Sequence, residues 1–296
     1  MVFSDSAKTG YFFAFMAAAC WSLLGIFSRV PISHGVSALE VAFWRAAFGA
    51  IVFVAHGLIY GLYKVRLQEA LVLCAFGTIG VGFFFTVIQL SIETGGAALA
   101  SIMLYTAPFW VVLFARILFK ERITMFKALA LAVAVGGVAL LCLSGGGLPD
   151  NSDMRGVFWG VLSGLLYSMH FLFGKVYLKR FSAITIYMYC LSVGALVMLP
   201  LVDFAPGKTL ADWGAMLGLG VICTYAAYMN YCAGLKRLDA GKMAVLCNLE
   251  PVLATIMAML IWDEMFSLTG WIGAAMVLGA IFLILFDTKE ETEQNA

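Results

Sequence analysis

Ten stretches of this chain, each about 20 residues long and nearly free of charge, leave it very few ways to fold. They run approximately over 11–30, 37–60, 69–90, 96–117, 124–144, 156–177, 183–202, 212–235, 241–262 and 267–286. A helix of about 20 residues crosses roughly 30 Å of hydrocarbon, and inside a bilayer only a helix or a closed barrel satisfies its own backbone groups. Apolar residues make up 63% of the chain and charged ones 12%, and the mean hydropathy is +0.99. A soluble domain of that composition would have no polar surface to show to water. The expectation is an all-α membrane protein of ten transmembrane helices. Because the first run is long, follows the single Lys8 and lacks a small-residue cleavage site, it reads as a retained span and not as a signal peptide.

The same composition excludes several classes of function. The net charge of +1 comes without a basic stripe interleaved with aromatics, so no nucleic-acid partner is expected. Seven cysteines (Cys20, Cys74, Cys142, Cys190, Cys223, Cys232 and Cys247) are scattered through apolar runs without a CxxC pair. They read as small packing residues, with neither a disulfide framework nor a metal site. No HExxH, GxSxG or Walker A motif occurs, so neither an enzyme nor an ATP-driven pump is expected from this chain alone, and no cofactor is implied.

The runs are not independent of one another. Pro108, Glu121 and Gly136 recur as Pro251, Glu264 and Gly279, each 143 residues further on. The chain therefore reads as two repeats, 1–147 and 148–296, each with five spans. Ser144 to Asp153, SGGGLPDNSD, reads as the loop that joins them. Basic residues fix the expected orientation, because they stay on the cytoplasmic side. With the N-terminus inside, fourteen Lys and Arg fall in cytoplasmic connections, against Arg29, Arg155 and Lys208 on the other face, while Arg45 lies within a span. Both termini are expected in the cytoplasm, and an odd number of spans per repeat makes the second copy inverted relative to the first. Inverted duplication of this kind is how many carriers obtain two related conformations, one open to each side.

The residues around the repeated marks resemble the EamA-type transporters of the drug/metabolite transporter superfamily. The resemblance is carried by ALASIMLYTAPFWVVLFARILFKERIT (Ala98 to Thr124) with GGVALL (Gly136 to Leu141), by Ala244 to Ile284, and by FWRAAFGAI around Arg45. It implies a bundle of ten helices around a central cavity that moves small metabolites, often outwards, in the cell's inner or plasma membrane. It implies no particular substrate.

An ionisable side chain at membrane depth costs about 2.5–3.5 kcal/mol on insertion scales, so each one needs a partner or water. Arg45 either packs against neighbouring carbonyls and pairs with Glu40, or offers a planar fork to a substrate carboxylate. Glu250 lies midway along the ninth run directly before Pro251, where the first repeat has Ala107. Symmetry does not require that acid. It is a candidate to bind an amine or carry a coupling proton, or else to bond across helices or to Arg45. Tyr105 and Asn248 each stand three residues before a repeat proline, so polar groups from both repeats are expected to converge near the midplane. Trp21 and Tyr167 occupy corresponding places in the first spans of the two repeats, and each precedes a serine. His170 shares a helix face with Tyr167 and either meets a ligand or bridges two helices. Tyr228 is a further aromatic candidate, against the background expectation that most rings here face lipid or fill helix interfaces.

Pro108 and Pro251 each remove a backbone donor and free a carbonyl at Leu104 and Cys247, which marks them as hinges or fixed bends. Glu121 and Glu264 are expected to hold turns, by accepting bonds from the start of the following helix or, for Glu121, by pairing with Lys120, Arg122 or Lys127. The acidic tail, Thr288 to Ala296, is expected to lack fixed structure. The function these features favour is a secondary carrier, monomeric or homodimeric. It would export or exchange a small polar metabolite such as an amino acid, coupled to a proton or a counter-substrate. The alternatives are a passive facilitator and an efflux protein for organic cations.

Overall fold

The computed structural model describes residues 5–144, 154–262 and 267–294, and among these every regular element is helical. The helices are α1 (Asp5–Ser22), α2 (Leu24–Ser33), α3 (Ala38–Ile59), α4 (Leu67–Phe76), α5 (Phe84–Leu104), α6 (Ala107–Phe119), α7 (Met125–Ser144), α8 (Met154–Tyr177), α9 (Ala183–Met198), α10 (Leu210–Gly220), α11 (Ala227–Leu235), α12 (Ala240–Cys247), α13 (Leu249–Trp262) and α14 (Leu268–Gln294). Two π-helical segments, Gly77–Phe83 and Val221–Ala226, join α4 to α5 and α10 to α11 without interrupting the rod. Eight helical runs are long and apolar enough to cross a membrane, and Ala107–Phe119 and Leu268–Ile284 are shorter apolar helices.

Local chemistry sets many of the ends. Ser37 accepts the amide of Glu40 to start α3, and Ser182 accepts that of Thr185 to start α9, each satisfying one of the donors that a helix leaves free at its first turn. The Glu69 carboxylate accepts the Arg66 amide at the start of α4, and that of Asp212 accepts the Thr209 amide at the start of α10. Both acids then pair with the connection that precedes the neighbouring helix, Glu69 with Arg180 and Asp212 with His34. The Leu67–Leu104 run has 38 residues, about twice the length one crossing needs. Gly96 divides it, with φ 80° and ψ 160°, a conformation that glycine adopts without steric cost.

The bundle is held by helices from opposite halves of the chain: α5 against α8, α7 against α14, α3 against α9, and α1 against α11 and α13. Two of these contacts are backbone against backbone. A Cβ on Gly156 of α8 would stand 2.5 Å from the Gly95 Cα, and one on Gly137 of α7 would stand 2.7 Å from the Gly273 carbonyl of α14. Small residues let membrane helices approach this closely, and dispersion then replaces the hydrophobic effect as the attraction.

Each proline follows an interruption that falls at the carbonyl four residues before it: α5 ends at Leu104 and α6 begins at Ala107, while α12 ends at Cys247 and α13 begins at Leu249. Pro108 and Pro251 thus sit in the first turn of a new helix, where a missing N–H leaves nothing unpaired. Glu121 does hold a turn, but its carboxylate accepts the Ala240 amide of α12 at 3.2 Å, in the other half of the chain, and not the start of the following helix. The polar tail does not fray at Thr288. It continues α14 to Gln294, since Lys, Glu and Gln all favour helix. Glu264 and residues 145–153 of the expected joint lie outside the described residues.

Candidate functional site

Arg45, Tyr105 and Glu250 come together in one cavity of about 560 Å³, bounded by α2, α3, α5 and the first turn of α13. It runs from Arg29 and Ile32, at the end of α2, to Tyr105 and Glu250, halfway along the bundle where α5 and α12 stop. The discontinuous helices explain why an acid stands there. Glu250 is in the first turn of α13, where unpaired amides and the helix dipole favour negative charge. Tyr105 lines the same cavity, so the residue that follows the end of α5 and one in the first turn of α13 face a common space from the two halves.

Arg45 is anchored from two directions. Its Nε donates to the Thr224 hydroxyl at 3.1 Å, and the Phe85 ring lies 5.0 Å from the guanidinium carbon. Thr224 belongs to the second π-helical segment, and its hydroxyl donates in turn to the Leu219 carbonyl. These contacts fix the guanidinium plane at the cavity wall. The pairing with Glu40 that the sequence allowed is not the one found. Glu40 is fully buried, its carboxylate takes the Lys208 ammonium at 2.6 Å, and it also accepts from the Trp44 indole and the Ala205 amide.

The remaining candidates form a layer behind the cavity. Tyr167 stacks on Phe84, which lines the cavity, with ring centroids 5.6 Å apart. His170 is buried, bonds the Gly80 carbonyl of the first π-helical segment through Nε2 at 2.5 Å, and lies parallel to Tyr228 at 5.9 Å. Its Nδ1 has no partner among the described residues. Trp21 meets Tyr228 edge-on at 5.9 Å and is buried with it. Asn248 ends α12 and is buried, with its side-chain nitrogen unpartnered among the described residues. Of the eight residues expected at the site, three line the cavity, and Tyr167, His170, Tyr228 and Trp21 pack in succession behind its Phe84 wall; Asn248 is buried at the end of α12.

Sequence reasoning passed over Gln89, Ser28, Ser101 and Phe85, all of which line the cavity. Gln89 carried a signal, as a lone amide within FFFTVIQLSI, and one end of that amide is buried without a partner among the described residues. Phe85 carried none, because a phenylalanine in an apolar run has no distinguishing chemistry. Among the described residues no group of His, Cys, Asp and Glu has the arrangement of a metal site.

A family model described as the EamA-like transporter family matches the chain twice, over residues 8–143 and 154–286. An uncharacterized transporter of Archaeoglobus fulgidus is 28% identical over 88% of this chain and 92% of its own length. The uncharacterized inner membrane transporter YicL of Salmonella typhimurium is 21% identical over 96% of this chain and 97% of its own. The pseudopaline exporter CntI of Pseudomonas aeruginosa is 28% identical over 74% of this chain and 75% of its own length. A solved crystal structure, 21% identical, superposes with a TM-score of 0.81 over 96% of this chain and 98% of that one, a likeness that concerns the fold.

Proposed function

The chain belongs to the EamA-like transporter family, and from that premise we propose that this multi-pass membrane protein is a secondary carrier for a small zwitterionic metabolite, such as an amino acid, exported or exchanged by alternating access. The observation that carries the reading is the pairing of Arg45 and Glu250 within one cavity of about 560 Å³. A guanidinium whose plane is already fixed is a pre-organised fork for a carboxylate. A carboxyl group across the same space offers an acceptor to an amine. Phe85 and Phe84 supply apolar wall for the rest of the molecule.

The path reads as ten crossings arranged in two inverted repeats, 1–147 and 148–296, with both termini in the cytoplasm. Support comes from Gly96, which divides the longest run, and from the matched capping at Arg66–Glu69 and Thr209–Asp212. On this orientation the cavity faces outwards. A relative named as a pseudopaline exporter fits the outward direction of this reading.

Purified protein in liposomes loaded with one labelled amino acid at a time, with and without a pH gradient, tests the proposal. Saturable counterflow that is lost in both Arg45→Ala and Glu250→Gln is expected. Linear flux without counterflow would replace the carrier by a facilitator. Preference for organic cations with no loss in Arg45→Ala would replace the zwitterion.

A further inference from the structure

The outward cavity is bounded on one side by Ser28, Arg29 and Ile32 of α2 and on the other by Ile88, Gln89 and Ile92 of α5. Trp21 and Tyr167 set the repeat register of the first of these faces, and the two prolines set that of the second. The counterparts are then Gly174 and Lys175 of α8 with Leu178 just past its end, facing Tyr231, Cys232 and Leu235 of α11. In the first repeat the two faces stand apart. In the second they are shut: a Cβ on Gly174 would come within 2.7 Å of the Leu235 side chain, the Phe171 and Tyr231 rings meet edge-on at 5.2 Å, and the Lys175 ammonium donates to the Leu238 carbonyl at 2.6 Å. Tyr231, Cys232 and Leu235 are all buried, and the Tyr231 hydroxyl has no partner among the described residues. A separate recess of about 350 Å³ reaches this seam from the other end of the bundle, where Lys175, Lys179 and Lys236 border it and Leu235 closes it.

We propose that this seam between α8 and α11 is the closed cytoplasmic entrance of the transport path, with Tyr231 and Cys232 lining it once open and the three lysines gathering carboxylate-bearing solutes at its mouth. The assignment rests on the carrier reading. It accounts for a buried hydroxyl left without a partner, which gains water or substrate when the seam parts. It also accounts for the lysine recess ending blindly against Leu235. A basic mouth raises the local concentration of anionic solutes at the place where an exporter must collect them.

Cys232 is a native reporter. In inverted membrane vesicles a charged, membrane-impermeant methanethiosulfonate is applied from the cytoplasmic side, and modification of each cysteine is read by mass spectrometry. Lys175→Met removes the bond to Leu238 and is expected to raise the rate at Cys232 about tenfold, as loss of one charged hydrogen bond allows. Gly174→Ala should act in the same direction by wedging against Leu235. Cys190, which is fully buried and bonded to the Leu73 carbonyl, stays unmodified in the folded protein. A Gln89→Cys reporter, labelled from outside, should slow as Cys232 speeds up. If both variants leave Cys232 as protected as in the parent, the entrance is elsewhere. If Cys232 opens with no matching fall at Gln89→Cys, the entrance stands and alternating access fails.

Discussion

At Arg45 two neighbours have already fixed the side chain before any substrate arrives, Thr224 through Nε and Phe85 across the face. A lysine keeps the charge but has neither the plane nor the Nε. Arg45→Lys is therefore expected to raise the KM of a carboxylate-bearing substrate about tenfold in liposome uptake, and a KM equal to the parent's would remove Arg45 from the site. Glu40 makes a different kind of contribution. It is fully buried, and Lys208, with an 8% exposed side chain, depends on it. Glu40→Ala leaves that ammonium without a counter-charge among the described residues, with only the Ala205 carbonyl and the Phe204 and Trp213 rings beside it, at a cost of about 3–5 kcal/mol, visible as an earlier thermal unfolding midpoint in detergent. Glu40→Gln, which keeps one of the two acceptor oxygens that Trp44 and Ala205 use, should lose less. Ionisable residues were legible in the sequence because charge is conspicuous in an apolar run. Their partners were not, since nothing in the spacing separates Arg45 with Glu40 from Arg45 with Thr224, 179 residues away.

At the level of helices, the discontinuities before Ala107 and Leu249 place Tyr105 and Glu250 at facing helix ends. Since Pro108 lies in the first turn of α6, its missing donor costs nothing there. Pro108→Ala should shift stability by less than about 1 kcal/mol, whereas a proline that kinked a continuous helix would release about 3 kcal/mol on replacement. Equilibrium unfolding separates the two. Gly96 behaves in the opposite way. At φ 80° and ψ 160° a side chain is strained, so Gly96→Ala is expected to destabilise by about 1–3 kcal/mol, and an unchanged midpoint would mean that the turn has another conformation. The prolines were visible in the sequence as breaks, but whether a proline bends a helix or begins one depends on the carbonyls around it.

For the molecule as a whole, the proposed orientation makes the two ends chemically distinct. A cysteine at Lys64 should react with an impermeant maleimide only from the cytoplasmic side, and one at Pro206, also exposed, only from outside. Reaction of both from one side would overturn the inverted arrangement. The chain's apolar runs determined that it folds as helices in a bilayer, because an unpaired backbone is too costly there and runs of about 20 residues have the length of a spanning helix and not of a barrel strand, and the repeated proline, glutamate and glycine marks suggested its internal register. Only the tertiary structure decided that Glu40 belongs to Lys208, that Glu121 reaches across to Ala240, and that one face of α2 stands open while its counterpart on α8 is shut. Hydropathy is a property of each segment alone, whereas pairing and closure depend on which segments meet, and that is set by contacts between residues far apart in the chain.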